Sequence, residues 1–275
     1  MLKESQVADL TAQARQIRQA VVAMLALAGS GHPASSLGSA DIFAWLYGNL
    51  LRKNPELPQW PERDYFLLSA GHLAPAWYAT LAQHGYFPHD FLLTLRQLGS
   101  PLQGHPQRNL ALGIENSAGP LGQGVSMAAG LAYGLQEVKS EQRVFVLSSD
   151  GEQEEGQVWE AYLFAANYKL SNFCLLIDQN RIQQSGKVQD VMKVEDLLAK
   201  LLAFNFSAVV ADGNNFASLD SAWQKVKRSA RPKAIICQTV PGKGVSFMEN
   251  DYHWHAQAVT AAQAKQAWQE LEAKC

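Results

Sequence analysis

"RVFVLSSDG", residues 143–151, is an apolar run of branched and aromatic side chains that ends in two serines, an aspartate and a glycine. Such a run, closed by a turn signal, reads as a buried strand. Similar runs occur at 64–72 ("DYFLLSAGH"), 173–179 ("FCLLIDQ"), 206–211 ("FSAVVA") and 234–240 ("AIICQTV"). Helical spacing fills the intervals at 125–138, 155–169, 194–204 and 215–230. Strands alternating with helices, and apolar throughout, predict an α/β fold: a mostly parallel sheet with helices on both faces. In such sheets ligands bind at the carboxyl ends of strands, which singles out Asp150, Asn180 and the loop after Ser69.

The remaining segments extend this frame. Residues 5–28 carry apolar positions at helical spacing and stop at Gly29. A small-residue loop, "GSGHPASSLGSAD" (29–41), leads into the helix "DIFAWLYGNLL". "FLLTLRQLG" (91–99) reads as helical, residues 100–124 as a long loop rich in glycine and proline, and the last 25 residues as a charged surface or interface helix. Trp45, Tyr47, Trp77 and Tyr78 recur at helical spacing, the signature of core packing.

Composition excludes several classes. The 275 residues are 47% hydrophobic and carry a net charge of -2, with no basic run longer than "KVKR" (225–228). Nucleic-acid binding therefore has no electrostatic support. Three dispersed cysteines, Cys174, Cys237 and Cys275, form neither a disulfide framework nor a zinc pattern. The N-terminus lacks a signal-peptide core, and the longest apolar stretch (20–29) is too short to span a bilayer. A cytoplasmic protein is expected.

Three features carry chemistry. Asp150 ends one strand and Asn180 follows the next, so adjacent parallel strands bring a carboxylate and an amide oxygen together. That sparse all-oxygen set suits Mg²⁺ or Ca²⁺ completed by phosphate oxygens, and equally suits an aspartate cap beside an asparagine turn. The loop "AGPLGQGVSMAAG" (118–130) opens a helix and would offer backbone N–H groups to an anion, although it is neither a Walker loop nor a dinucleotide fingerprint. Four histidines, His32, His72, His105 and His255, lie in small-residue loops, and their spacing is not that of a zinc helix. His84 and His89 read as surface residues around a turn, and His253 has no assigned role. Within "SDGEQEEG", Glu152 and Glu154 read as first-turn charges.

The motifs "GHPASSLGSADI", "DYFLLSAGH", "LQGHP", "GPLGQG", "SDGEQEEGQVWEA…DQN" and "GVSFMENDYHWHA" occur in the order seen in transketolases. The chain therefore resembles the N-terminal part of that family. The resemblance implies that residues 1–275 form a single thiamine-diphosphate-binding domain. It further implies that Asp150, Asn180 and the carbonyl of Ile182 hold Mg²⁺ or Ca²⁺, and that Leu121, Gly122, Gly151, His72, His255 and Asn180 contact the cofactor. Glu155 would lie near the cofactor and a dimer contact, and His32, His72, His105 and His255 would face the sugar. The activity implied is transfer of a two-carbon ketol unit from a ketose to an aldose.

A full-length transketolase is more than twice as long, so a separate C-terminal chain is expected to supply the pyrimidine-binding part, in an α₂β₂ assembly. Ser149, Ala34 and Ala256 stand where the family often has glycine. Two alternatives stay open at this point. One is a subunit of another thiamine-diphosphate enzyme, of the deoxyxylulose-phosphate synthase or 2-oxoacid dehydrogenase type. The other is a non-catalytic relative.

Overall fold

All five apolar runs form strands, and they pair edge to edge in one sheet. The computed structural model describes residues 2–273, so Cys275 lies outside the described residues. In chain order the helices are α1 (Glu4–Ala28), α2 (Pro33–Gly38), α3 (Ala40–Trp45), α4 (Ala74–Gln83), α5 (Gln123–Glu137), α6 (Gly156–Asn167), α7 (Val188–Val191), α8 (Leu197–Ala203), α9 (Phe216–Val226) and α10 (Ala261–Ala273). The strands are β1 (Tyr65–Leu68), β2 (Val144–Ser149), β3 (Phe173–Gln179), β4 (Ile182–Gln183), β5 (Gly186–Lys187), β6 (Ser207–Asp212) and β7 (Lys233–Gln238). The main sheet runs β1-β2-β3-β7-β6 with every pair parallel, and β4-β5 is a small separate hairpin.

Side-chain alternation explains why the central strands are apolar on both faces through most of their length. In β2, Phe145 and Leu147 face one core while Val144 and Val146 face the other. In β3, Cys174 and Leu176 oppose Phe173, Leu175 and Ile177 in the same way. The first core is closed by α1, α3, α4 and α9, and the second by α5, α6 and α8. Trp45, Tyr47, Trp77 and Tyr78 are buried in the first core, and Trp77 Nε1 donates to the Tyr47 hydroxyl at 2.7 Å. Cys174 and Cys237 are buried, unbridged thiols of the sheet. No helix among the described residues is long and apolar enough to cross a membrane.

Three expectations change. The helix expected over 91–99 is a short 3₁₀ turn, His89–Thr94. Leu95 turns extended, Arg96 takes a left-handed conformation (φ 62°), and its N–H bonds back to the Leu102 carbonyl, so the chain reverses instead of continuing. His84 is not a surface residue: its ring is half-buried at 5.8 Å from Tyr47, and burial lowers its pKa to about 4. The C-terminal helix spans only Ala261–Ala273, and Ala267 and Leu271 enter the core, so it is a packed element with one exposed side.

Candidate active site

Every strand of the main sheet points its carboxyl end to one edge, and the residues singled out from sequence gather there. Asp150 directly follows β2, and its backbone N–H bonds the Asp178 carbonyl of β3 at 3.1 Å. Its Oδ1 accepts from Gly151 N–H (2.9 Å) and its Oδ2 from Arg181 N–H (2.6 Å), which locks the carboxylate across the two strand ends. Asn180 Oδ1 accepts from Ile182 N–H at 3.0 Å, while its amide donates to Asp178 Oδ2 (3.0 Å) and to Ser35 Oγ (3.3 Å) on α2. Asp150, Asn180 and Ile182 are therefore contiguous and buried.

Asp178 was not singled out from sequence. A charge inside a fully buried strand was the signal, because such a group needs partners. It accepts from the Thr239 hydroxyl and from Asn180. Burial, and then the charge of Asp178, raise the Asp150 pKa to about 7; burial raises that of Asp178 to about 7 as well. Two carboxylates side by side in a low-dielectric setting favour a cation or a proton between them.

The histidines converge from four separate loops. His32 precedes α2, His72 lies in the turn after β1, His105 is in the long loop, and His255 sits in the 3₁₀ turn Tyr252–Ala256. His32 lies 5.6 Å from His72 and 5.7 Å from both His105 and His255, centroid to centroid, and His72 lies 5.2 Å from His255. Burial, reinforced by His255 and His105, lowers the His32 pKa to about 3, and burial drives His72 well below its ordinary value. His105 and His255 are lowered for the same first reason. His32 Nδ1, His72 Nε2 and His255 Nδ1 are buried without a hydrogen-bond partner in the protein. Buried polar atoms are normally satisfied, so three unpartnered nitrogens within one histidine cluster mark a candidate ligand position. Arg96, unremarked in the sequence, donates to Ser30 Oγ (3.1 Å), and its charge bears on both His32 and His105.

Between His72, His255, Leu121, Gly151, Glu155 and Ile182 lies a cleft of about 220 Å³. Glu155 is exposed at its rim. Gly122 opens α5 with φ 82°, and the Leu121 carbonyl is held by Gln157 Nε2 at 2.6 Å. Gly122 N–H is already engaged: it donates at 2.5 Å to Oε1 of Glu152, which also lines the cleft. Glu152 is no solvated first-turn charge. It is fully buried and also accepts from Ser69 Oγ (2.6 Å) and Ser148 Oγ (2.7 Å). Sequence reading missed this because a strand-to-helix turn turns the first acidic side chain inward, which periodicity cannot reveal. Glu154 is half-buried beside the cleft with Oε1 unpartnered. His253 is exposed and paired with Asp251 at 2.7 Å, away from the cluster. Ala34 is buried in α2 and Ala256 is exposed. Nothing in the structure explains the hydroxyl of Ser149.

Fold and site together define a parallel α/β protein with a polar ligand cleft at the carboxyl edge of its sheet, walled by neutral histidines and buried carboxylates. Residues 10–274 match the family described as "Transketolase, thiamine diphosphate binding domain", and the chain belongs to that family. It is 37% identical over 272 residues to the 6-deoxy-6-sulfo-D-fructose transketolase subunit SqwG of Clostridium sp. strain MSTE9, covering 98% of both chains. It is 34% identical to one of the subunits of the apulose-4-phosphate transketolase of Actinobacillus succinogenes, covering 96% of each. Against the transketolase of Homo sapiens it is 36% identical over 94% of its own length and 41% of the relative. The crystal structure of transketolase from Campylobacter jejuni superposes with a TM-score of 0.90 at 30% identity, over 98% of this chain and 43% of that one. The chain thus spans about two fifths of full-length transketolases and nearly all of the two subunit-type relatives.

Proposed function

We propose that this chain is the diphosphate- and metal-binding subunit of a two-chain transketolase, which moves a two-carbon ketol unit from a ketose or its phosphate to an aldose. The observation that carries the reading is the cluster of four histidines from separate loops, of which His72 and His255 line a cleft together with Gly151 and Ile182, next to the buried Asp150 and Asn180. Thiamine diphosphate, when bound, supplies the electron sink that lets a carbon–carbon bond of the donor break and re-form on the acceptor. Asp150, Asn180 and the Ile182 carbonyl would hold Mg²⁺ or Ca²⁺. The fit rests on donor chemistry: hard oxygen ligands, and two carboxylates whose charged forms are disfavoured by burial and, for Asp150, also by the charge of Asp178, a cost a divalent cation offsets.

Leu121, Gly151, His72 and His255 line the cleft for the cofactor, with Glu155 at its rim. Gly122 contributes its position in the loop rather than its N–H, which Glu152 already accepts. His32, His72, His105 and His255 are held neutral by burial, so each ring can offer one N–H and one lone pair. That suits them to grip sugar hydroxyls and to hold or pass a proton at a carbonyl oxygen that becomes a hydroxyl.

The subunit-type relatives, matched end to end, support a separate chain that provides the rest of the enzyme. The exposed side of α5 and α6 supports pairing of two copies in an α₂β₂ assembly: Met127, Leu163 and Tyr168 are exposed, and Gly130 has open space at its Cβ position. Residues 1–275 act as a single domain in this reading, and unbridged Cys174 and Cys237 suit a cytoplasmic setting.

The test mixes the chain with a C-terminal transketolase half, thiamine diphosphate and Mg²⁺, and follows glycolaldehyde transfer between sugars. A pair that binds the cofactor but acts only on pyruvate would sink the ketol-transfer reading. Asp150→Ala should weaken cofactor retention by roughly 100-fold, the scale of loss expected when a metal shell is disrupted. Unchanged retention would remove the metal assignment.

A further inference from the structure

We infer that Glu152 is a positioning residue that ties the glycine loop at Gly122 to the ends of β1 and β2, and so sets the shape of the cofactor cleft. The inference deepens the proposed function and, where it concerns the cofactor, rests on it. Four donors converge on the one carboxylate. Oε1 accepts from Gly122 N–H (2.5 Å) and Ser69 Oγ (2.6 Å), and Oε2 from Ser148 Oγ (2.7 Å) and Ser149 N–H (3.3 Å).

The direction of each hydroxyl is fixed by its other bond. Ser69 Oγ accepts from Val125 N–H at 3.1 Å, so its own hydrogen goes to Glu152. Ser148 Oγ accepts from Gln153 Nε2 at 2.7 Å, so its hydrogen also goes to Glu152. Each carboxylate oxygen is thus loaded with two donors, and only an acceptor-only group satisfies all of them. The segments joined are far apart in sequence: the end of β1, the first turn of α5 and the end of β2. Gly124 sits so close to β1 that a Cβ there would lie 2.7 Å from Ser69 Oγ. The loop therefore approaches β1 as nearly as backbone can, and Glu152 is what holds it in register there.

Hydrogen exchange on the full chain tests the coupling without any ligand. In Glu152→Ala the amides of Gly119 and of residues 121–125 should exchange at least about tenfold faster, equivalent to about 1.4 kcal/mol of local opening. The central amides of β2 and β3 should keep their protection. A uniform rise across the sheet, or no rise at 119–125, would overturn the inference, since a residue of merely general stabilising effect gives the first and an uncoupled one the second. Should that variant fail to fold, Glu152→Gln keeps the size of the side chain but turns one acceptor oxygen into a donor, and the Gly122 or the Ser149 amide should quicken by about tenfold; unchanged exchange at both overturns the inference.

A second measurement reads the cofactor. With Mg²⁺ and the C-terminal half present, Glu152→Ala should lose thiamine diphosphate affinity by about tenfold, with thiamine monophosphate affected less. Wild-type affinity in the variant would overturn the inference. Failure of the wild-type pair to bind thiamine diphosphate would overturn the proposed function instead, and the exchange result would still decide the role of Glu152.

Discussion

At the scale of single residues, burial rather than identity gives the site its chemistry. An isolated histidine titrates near neutrality, yet His32 is brought to about 3 because its loop is folded under its neighbours. The folded chain therefore binds fewer protons than the unfolded chain below pH 6.5. Stability contributed by the neutral ring is complete above the unfolded value and declines as pH falls toward the folded one. Acidification from pH 7 to pH 4.5 should cost about 2 kcal/mol through His32 alone, and His32→Asn should flatten that part of the profile in urea melts at each pH. Asp64 behaves in the opposite chemical sense. Burial pushes its carboxyl up, but the hydrogen bonds from Arg143 and Arg52 outweigh burial and hold it below the usual range. Its contribution is therefore present at neutral pH and disappears only as pH falls below the ordinary carboxylate value. Asp64→Asn should lower the melting temperature at pH 7, and the difference from the unaltered chain should shrink as pH falls below the ordinary carboxylate range. Asp150, Asn180 and the four histidines were legible as residues, because polar groups in small-residue loops after apolar strands stand out. Glu152 and Asp178 were not, since their importance lies in which way they point.

At the scale of elements, α5 shows how one helix can carry opposite demands on glycine. Gly124 faces Ser69, where a Cβ would lie 2.6 Å from the Cα, so Gly124→Ala should destabilise the fold by roughly 1–3 kcal/mol through overpacking. Gly130, on the same helix, has nothing within 4 Å of its Cβ position. There alanine should stabilise the lone chain by roughly 0.5–1 kcal/mol through helix propensity. Paired thermal melts of the two variants check both signs. If the α5–α6 side joins two copies, Gly130→Ala should also weaken self-association, which sedimentation of the assembled enzyme would read. Helices with a capping residue were well bounded in sequence: Asn215 caps α9 through Ser218 N–H, and Asp196 caps α8. The segment at 91–99 was misread because its apolar spacing is helical, whereas Arg96 must turn back so that His105 can reach the cluster.

At the scale of the whole molecule, the parallel sheet gathers the site by sending every strand's carboxyl end to one edge. The chain spans about two fifths of full-length transketolases, and the proposed two-chain reading has a second chain complete the cleft. Light scattering of the chain mixed with a C-terminal half should therefore report an α₂β₂ mass, and ketol transfer should appear only in the mixture. A transferase rate from the lone chain equal to that of the mixture would remove the need for a second chain. The amino-acid sequence by itself determined the strands, the two-faced helical cover and the family motifs, because period, turn residues and composition are local properties. It also carried the candidate ligands as a set. Only the tertiary structure decided that four histidines from separate loops share one wall. It alone decided that Asp178 raises Asp150, and that Glu152 turns inward to take four donors. Those facts depend on distances between residues remote in the chain, and close packing under a low-dielectric roof is what creates them.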